Sequence, residues 1–260
     1  MGPYRSSPPT ANVVVVVGGG SGIGRAIACA VASTGAHVIV AGRRADALQG
    51  TRDIAPGDIE CEELDVTDSA QVDSVIDNVA ARWGRIDGLV NAAGRTSITP
   101  SDQISDREFT NVLSVNVVGA MALSRAVART MLPAGAGSIV HVGSLTAHRG
   151  LPNRVAYTCS KHALLGLVRT LGAEWGGRGV RVNLLSPGWI STEMTNQAVD
   201  AGHLGKAGIV RRTPAGRWGA PKDVVGGALF LLGAGSTFVT GSELVIDGGW
   251  SCVLDDGLSG

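Results

Sequence analysis

Seven short apolar runs, most of them followed by a stretch of helical periodicity, limit this chain's possible folds more than any other feature. The runs are NVVVVV (12–17), HVIVA (37–41), a weaker IECEEL (59–64), IDGLVN (86–91), SIVHV (138–142), VRVNLLS (180–186) and ELVID (243–247). Helical spacing recurs between and around them, over 22–34, 69–83, 106–131, 154–175 and 222–233. Unbroken β-branched runs suit strands buried on both faces, which is what a parallel sheet requires. Strand–helix alternation along the whole length therefore predicts an α/β fold, a doubly wound parallel sheet of about seven strands with helices on both faces. No linker-like break or internal repeat divides it. The expected organisation is one domain over 12–250, with short tails at 1–11 (flexible) and 251–260.

Composition narrows the class. Charged residues are 17% of the 260, against a usual value of about 25%, so much of the surface is expected inside or between subunits. The 22 basic and 22 acidic residues cancel, which leaves no electrostatic case for nucleic acid or an anionic membrane as partner. Cys29, Cys61, Cys159 and Cys252 show neither metal-ligand spacing nor a disulfide framework. They read as buried or half-buried thiols in a reducing compartment, with no metal site. The opening MGPYRSSPPTA has no apolar signal-type core, and Val13 to Val17 are too few to span a bilayer, which needs about 20 apolar residues. The expected location is the cytoplasm.

Two motifs carry chemistry. The first strand runs into GGGSGIG (Gly18 to Gly24) and then RAIACAVA. Glycines there allow a tight turn and let backbone N–H groups approach a phosphate, while the following helix N-terminus adds positive potential. That position between first strand and first helix points to dinucleotide binding. The second motif is YTCSK (157–161), which stacks a phenol and an ammonium one helical turn apart on the same face. A cation so placed is expected to lower the tyrosine pKa from about 10 and make a proton donor usable near neutral pH. Alone, the pair equally describes an amphipathic helix with a solvated lysine.

The glycine spacing, Gly18-x-x-x-Gly22-x-Gly24, differs from the usual fingerprint. Together with Tyr157-x-x-x-Lys161 it resembles the short-chain dehydrogenase/reductase superfamily, and the resemblance runs from about residue 12 to 250. Asp65 in LDVTD matches the family's adenine-contacting aspartate. Asn91-Ala92-Ala93-Gly94 matches its NAG motif, Asn116 in SVNVVG the catalytic-helix asparagine, and Ser144 in HVGSLTA the catalytic serine. Pro187-Gly188, with Thr192 close behind, matches the loop over the nicotinamide, and TGSELVIDGGW matches the closing strand.

The resemblance implies a Rossmann-like fold and an NAD(P) cofactor held by Gly18, Ser21, Gly22, Ile23, Gly24, Arg43, Asp65, Val66, Asn91, Ala92, Gly94, Pro187, Gly188, Ile190 and Thr192, with Tyr157 and Lys161. It also implies interconversion of a small-molecule secondary alcohol and a ketone. Tyr157 would be the general acid/base, Lys161 would lower its pKa and hold the ribose, Ser144 would fix the substrate oxygen, and Asn116 would hold a water leading to solvent. Alternatives are a 3-oxoacyl-thioester (acyl-carrier-protein) reductase and, in another class, a non-catalytic dinucleotide-sensing regulator. The intact Ser144, Tyr157 and Lys161 speak against the regulator.

Finer expectations follow. A carboxylate at position 42 would bind both adenosine ribose hydroxyls; Gly42 leaves that space open and Arg43 can meet a 2′-phosphate, so NADP is expected over NAD. The segment 189–221 should form a substrate lid bearing Met194, His203, Arg211, Arg212 and Trp218. His148 and Arg149 are candidates for the pocket wall. The apolar excess of the helix after Tyr157 (Ala163, Leu164, Leu167, Val168, Leu171) and the segment 221–250 suggest two interfaces and a homotetramer, as in family members. Two departures stand out: Val17 replaces the family's usual threonine, a loss of a loop-tying hydroxyl, and Cys159 takes the place of a small residue and is expected to pack.

Overall fold

The computed structural model describes residues 12–253. The expected N-terminal tail, and the C-terminal one from 254, lie outside the described residues. Seven strands form one parallel sheet: β1 (Val13–Val17), β2 (His37–Gly42), β3 (Ile59–Glu63), β4 (Gly88–Asn91), β5 (Gly137–Val142), β6 (Val180–Pro187) and β7 (Glu243–Ile246), in the order β3-β2-β1-β4-β5-β6-β7. The doubly wound sheet expected from the alternation is present.

The valine run of β1 shows why these residues form this sheet. Side chains alternate faces along a strand. Val13, Val15 and Val17 join the core on one face, with Leu89, Leu123, Val168 and Val182. Val14 and Val16 join the other, with Ile27, Val31, Val140 and Leu231. Both faces are covered. Helices α1 (Gly22–Ala32) and α9 (Pro221–Leu232) pack together over the second face, and α3 (Ser69–Trp83), α5 (Gly119–Ala134) and α6 (Val155–Trp175) cover the first. Val15, Val16 and Val17 are fully buried, and each is worth about 1.5–3 kcal/mol of burial.

The expected helix over 106–131 is interrupted. It divides into α4 (Asp106–Leu113), a π-helical turn over Ser114–Val118, and α5. π-turns of this kind concentrate at functional sites, and this one contains Asn116. By length and composition alone Asp106–Ala134 is apolar enough to cross a membrane, yet Val112, Leu123, Val127 and Met131 are spent on the core. Three helices were not visible in the sequence: α2 (Ala45–Ile54), and, within the segment expected to be a lid, α7 (Glu193–Asp200) and α8 (Lys206–Arg212). These stretches are polar and short, and they pack too few apolar residues to print a clear 3.6-residue period.

The order of strands reverses between β1 and β4. Ligands of open α/β sheets bind at such a switch point, outside the carboxyl ends of the strands.

Candidate active site

A cleft of about 510 Å³ opens there. Its nucleotide end is made of backbone. Gly18 has φ 77°, and a Cβ on Gly24 would lie 2.2 Å from the Gly18 carbonyl oxygen. No other residue type fits that crossing of turn and helix. Ser21 precedes α1 without capping it, and no acid sits in the first turn. The positive end of α1 therefore faces the cleft without a side chain to satisfy it, which fits a pyrophosphate.

The hydroxyl lost at Val17 is replaced from elsewhere. Thr51 Oγ1 donates to the Gly19 carbonyl at 2.8 Å, and Arg25 donates to Thr51 Oγ1 and to the Gly20 carbonyl. Gly18 N–H donates to Ala41 O at 2.8 Å. The loop is tied down from α1 and α2, which make good the hydroxyl that Val17 lacks.

At the ribose edge, Gly42 is open: a Cβ there would meet only Leu48 Cδ2, at 3.7 Å. Arg43 and Arg44 both line the cleft. Arg44 donates to Ser21 Oγ at 3.2 Å and faces Glu193 of α7 at 3.8 Å. Asp65 lines the adenine side, its carboxylate held below the usual range by the Thr67 backbone N–H and hydroxyl.

The cleft wall also includes Ser21, Gly22, Ile23, Val66, Ala92, Gly94, Pro187, Gly188, Ile190 and Thr192, alongside Ser144, Tyr157 and Lys161. Asn91 and Asn116 do not reach it. Asn91 is buried beneath: its Nδ2 faces His141 Nδ1 at 3.2 Å and its Oδ1 accepts from Ala93 N. Ser124 Oγ gives its proton to Ala120 O, so the Nε2 of His141, 2.9 Å away, is the donor in that pair. Burial, helped by the Lys161 charge, lowers the His141 pKa from 6.5 to about 3. A neutral, fully bonded histidine thus braces β4 and β5 under the site. Sequence reasoning missed it because a histidine within a strand carries no motif.

Asn116, 1% exposed, is a brace as well. It accepts from Arg95 N at 2.8 Å and donates to Arg95 O and Ser160 Oγ. Ser160 in turn donates to the Tyr157 carbonyl. The Asn116 side chain joins the π-turn, the NAG loop and the first turns of α6.

At the reacting end, Ser144 Oγ accepts from Thr146 N and Thr146 Oγ1, which leaves its own proton to point elsewhere. Lys161 is 4% exposed and donates to the Val142 carbonyl at 2.8 Å. Burial lowers its pKa from 10.5 to about 8. Its Nζ stands 5.5 Å from the centre of the Tyr157 ring. The expected lowering of the tyrosine is corrected here. Burial raises the Tyr157 pKa, with the Ser144 hydroxyl and the Arg154 guanidinium acting against it. The cation that opposes burial of the phenolate is Arg154, because Lys161 has turned to the β5 carbonyl.

Other expectations shift too. His148 pairs with Glu243 of β7, and Arg149 donates to the Ser251 carbonyl, so both fasten the serine loop to the C-terminal segment and neither lines the cleft. Cys159 is exposed, not packed, as is Cys252, while Cys29 and Cys61 are half-buried. In the segment 189–221, Met194, Thr195 and Gln197 line the cleft. Trp218 is buried against Trp189, and Arg212 stacks over Trp250 at 4.3 Å; His203 and Arg211 do not line the cleft.

Residues 17–251 match the family model described as enoyl-(acyl carrier protein) reductase. D-threitol dehydrogenase of Mycolicibacterium smegmatis is 38% identical over 242 residues, 92% of each chain. The chain belongs to the short-chain dehydrogenase/reductase superfamily. It is an NAD(P)-dependent oxidoreductase acting on CH–OH groups. Gluconate 5-dehydrogenase of Gluconobacter oxydans is also 38% identical, covering 90% of this dehydrogenase and 93% of its own length. A solved gluconate 5-dehydrogenase from Burkholderia cenocepacia, in complex with NADP and tartrate, superposes with a TM-score of 0.87 at 33% identity, covering 94% and 96% of the two chains.

Proposed function

We propose that this dehydrogenase interconverts a secondary alcohol and a ketone of a polyhydroxylated small molecule, with NADP preferred over NAD. The observation that carries the reading is the convergence of Ser144, Tyr157 and Lys161 on one wall of the cleft, at the switch point and beside the glycine loop. Bound there, the nicotinamide would supply the hydride chemistry. The chain's own residues do the rest. Ser144, its acceptor capacity taken by Thr146, donates to the substrate oxygen and holds it near Tyr157. Tyr157 gives its proton to the carbonyl oxygen in reduction and, as the phenolate that the Ser144 hydroxyl and Arg154 favour, takes the alcohol proton in oxidation. Lys161, still mostly protonated at neutral pH, lies one turn along and supplies positive charge and a donor to the ribose. Asn116 and His141 act through position, holding the Arg95 loop and the strand ends.

Two features support NADP: the open space at Gly42, and two arginines at the same edge. The dehydrogenases it resembles act on threitol and gluconate, which supports a polyhydroxylated substrate. The test is a panel of alditols, aldonates, simple ketones and 3-oxoacyl thioesters, followed at the nicotinamide absorbance with each cofactor. Turnover of the thioesters above all others would instead favour the acyl-thioester reductase.

We also read the protein as a cytoplasmic homotetramer. Four unpaired cysteines accord with a reducing compartment. Of the apolar residues expected to make the α6 interface, Leu164, Val168 and Leu171 lie in the core and Leu167 packs against it, so only Ala163 of that set is exposed. With Cys159 and Gly166 it forms an exposed small-residue stripe on α6, and Phe230, Phe238 and Val245 are exposed near the closing strand. A monomer by light scattering at micromolar concentration would overturn this assembly.

A further inference from the structure

One acid stands where the ribose edge of the cleft meets the lid segment. Glu193, the first residue of α7, faces Arg44 Nη2 at 3.8 Å, and the same nitrogen donates to Ser21 Oγ of the glycine loop at 3.2 Å. All three residues line the cleft. Among the described residues the Glu193 carboxylate has no other ion pair and no hydrogen bond. The other acid lining the cleft, Asp65, is turned to the Thr67 backbone N–H and hydroxyl on the adenine side.

The position of Glu193 is fixed by its neighbours. Thr192 caps α7 and exchanges hydrogen bonds with Thr195, whose hydroxyl also donates to the Ile190 carbonyl at 2.7 Å. An acid in the first turn suits that end of a helix. A Cβ on Gly22 would lie 3.3 Å from Thr192 Cγ2, so the start of α7 rests against the glycine loop. Arg44 stands between β2 and α2, two residues after the open position at Gly42. Ser21, Arg44 and Glu193 thus form a chain of side chains from the glycine loop to α7, beside the space that Gly42 leaves.

We propose that Glu193 is a cofactor-selecting residue: its carboxylate competes with the 2′-phosphate of NADP for the Arg44 guanidinium and so holds the preference for NADP below what the two arginines alone would give. This rests on the reading that the ribose edge takes NADP. An exposed pair at 3.8 Å is weak, whereas a phosphate offers a guanidinium two parallel charge-assisted bonds. The phosphate therefore takes the arginine, but only by breaking the pair with Glu193. NAD has no 2′-phosphate and breaks nothing. The carboxylate thus weighs against one cofactor and is neutral towards the other.

The test uses adenosine 2′,5′-bisphosphate and AMP, two fragments that differ only in the 2′-phosphate, titrated calorimetrically into the protein at low salt. The wild type is expected to bind the bisphosphate more tightly, which checks the NADP reading by itself. Glu193→Gln should tighten the bisphosphate by about two- to fivefold, the worth of one exposed ion pair, and leave AMP unchanged. That gain should shrink at about 1 M salt, where charges are screened within about 3 Å. Arg44→Ala should weaken the bisphosphate, and in that background Glu193→Gln should bring little further gain, because the arginine is what the two anions compete for. An equal gain for AMP, or the full gain persisting without Arg44, would make Glu193 a general charge at the cleft mouth and overturn the competition. So would unchanged affinity in Glu193→Gln. If the wild type binds both fragments alike, the NADP reading fails and the variant still decides. A preference for the bisphosphate that emerges in Glu193→Gln shows a competition that the carboxylate wins, and its absence removes the competition as well.

Discussion

The two ends of the cleft are held by different parts of the chain. At the nucleotide end the contacts are backbone: glycines that admit no Cβ, and an uncapped helix N-terminus. At the substrate end they are side chains on loops and helices: Arg95, Ser144, Tyr157, Met194 and Gln197. Backbone recognition needs particular φ values and close approach, so few sequences provide it. Side-chain recognition changes with one substitution and leaves the frame untouched. A scaffold that keeps one ligand and varies another is expected to divide its labour this way.

The largest expected effect lies where side chains do the chemistry. Tyr157→Phe keeps the ring and removes the proton, and should lower turnover by about 10²–10⁴-fold with cofactor affinity preserved. Retention of more than about a tenth of the activity would show that the proton travels another way.

Lys161 tests whether the site is held against its own stability. Its folded pKa is depressed from 10.5 to about 8, so a charged lysine is harboured at a cost below pH 8. The unfolded chain binds the extra proton between those two values, and wild-type stability should therefore rise as pH climbs from 8 towards 10.5. The net cost is on the order of 3 kcal/mol. Lys161→Met should unfold at higher denaturant than wild type at pH 7, with the gap closing by pH 10, while losing activity. A variant less stable than wild type at pH 7 would mean that burial of the ammonium is well compensated.

At the nucleotide end, one methyl group is the probe. Gly24→Ala places a carbon against the Gly18 carbonyl, so turn and helix must separate. A loss of about 1–3 kcal/mol in unfolding free energy is expected, together with weakened cofactor binding. Unchanged binding would show that the loop tolerates more than its backbone spacing suggests.

The same division explains what the sequence disclosed. All seven strands lie within a few residues of their expected places, because β-branched runs buried on two faces leave a continuous apolar signal. Gly18, Gly22 and Gly24 were legible because a backbone requirement excludes other residues. Arg154 and His141 were not. Each acquires its role only when distant segments meet, Thr96 for one and Asn91 with Ser124 for the other. The signal for Arg154 was present but quiet: a cation three residues before the tyrosine, at the start of its helix. The direction of the Tyr157 shift was misread for a related reason. Spacing places Lys161 near the phenol, but only the fold shows that its ammonium turns to Val142 and that burial outweighs the nearby charge.

The smallest expected effect is at the ribose edge, where the two kinds of recognition meet. Gly42 ends β2 with nothing closer than 3.7 Å to an added Cβ, and its φ is not in the left-handed region. A side chain there meets neither clash nor strain, unlike one at Gly24. An aspartate at 42 would offer acceptors to both ribose hydroxyls and repel a 2′-phosphate. Removing Arg43 takes away a planar donor to that phosphate, though Arg44, bonded to Ser21 on the glycine loop, remains. Gly42→Asp with Arg43→Ala should thus move the NADP-to-NAD ratio of kcat/KM towards NAD by about tenfold, one charged contact's worth, and not abolish NADP use. Adding Arg44→Ala should carry the change further. If the double variant keeps the wild-type ratio, the ribose edge is read elsewhere, and the open space at Gly42 has no part in choosing the cofactor.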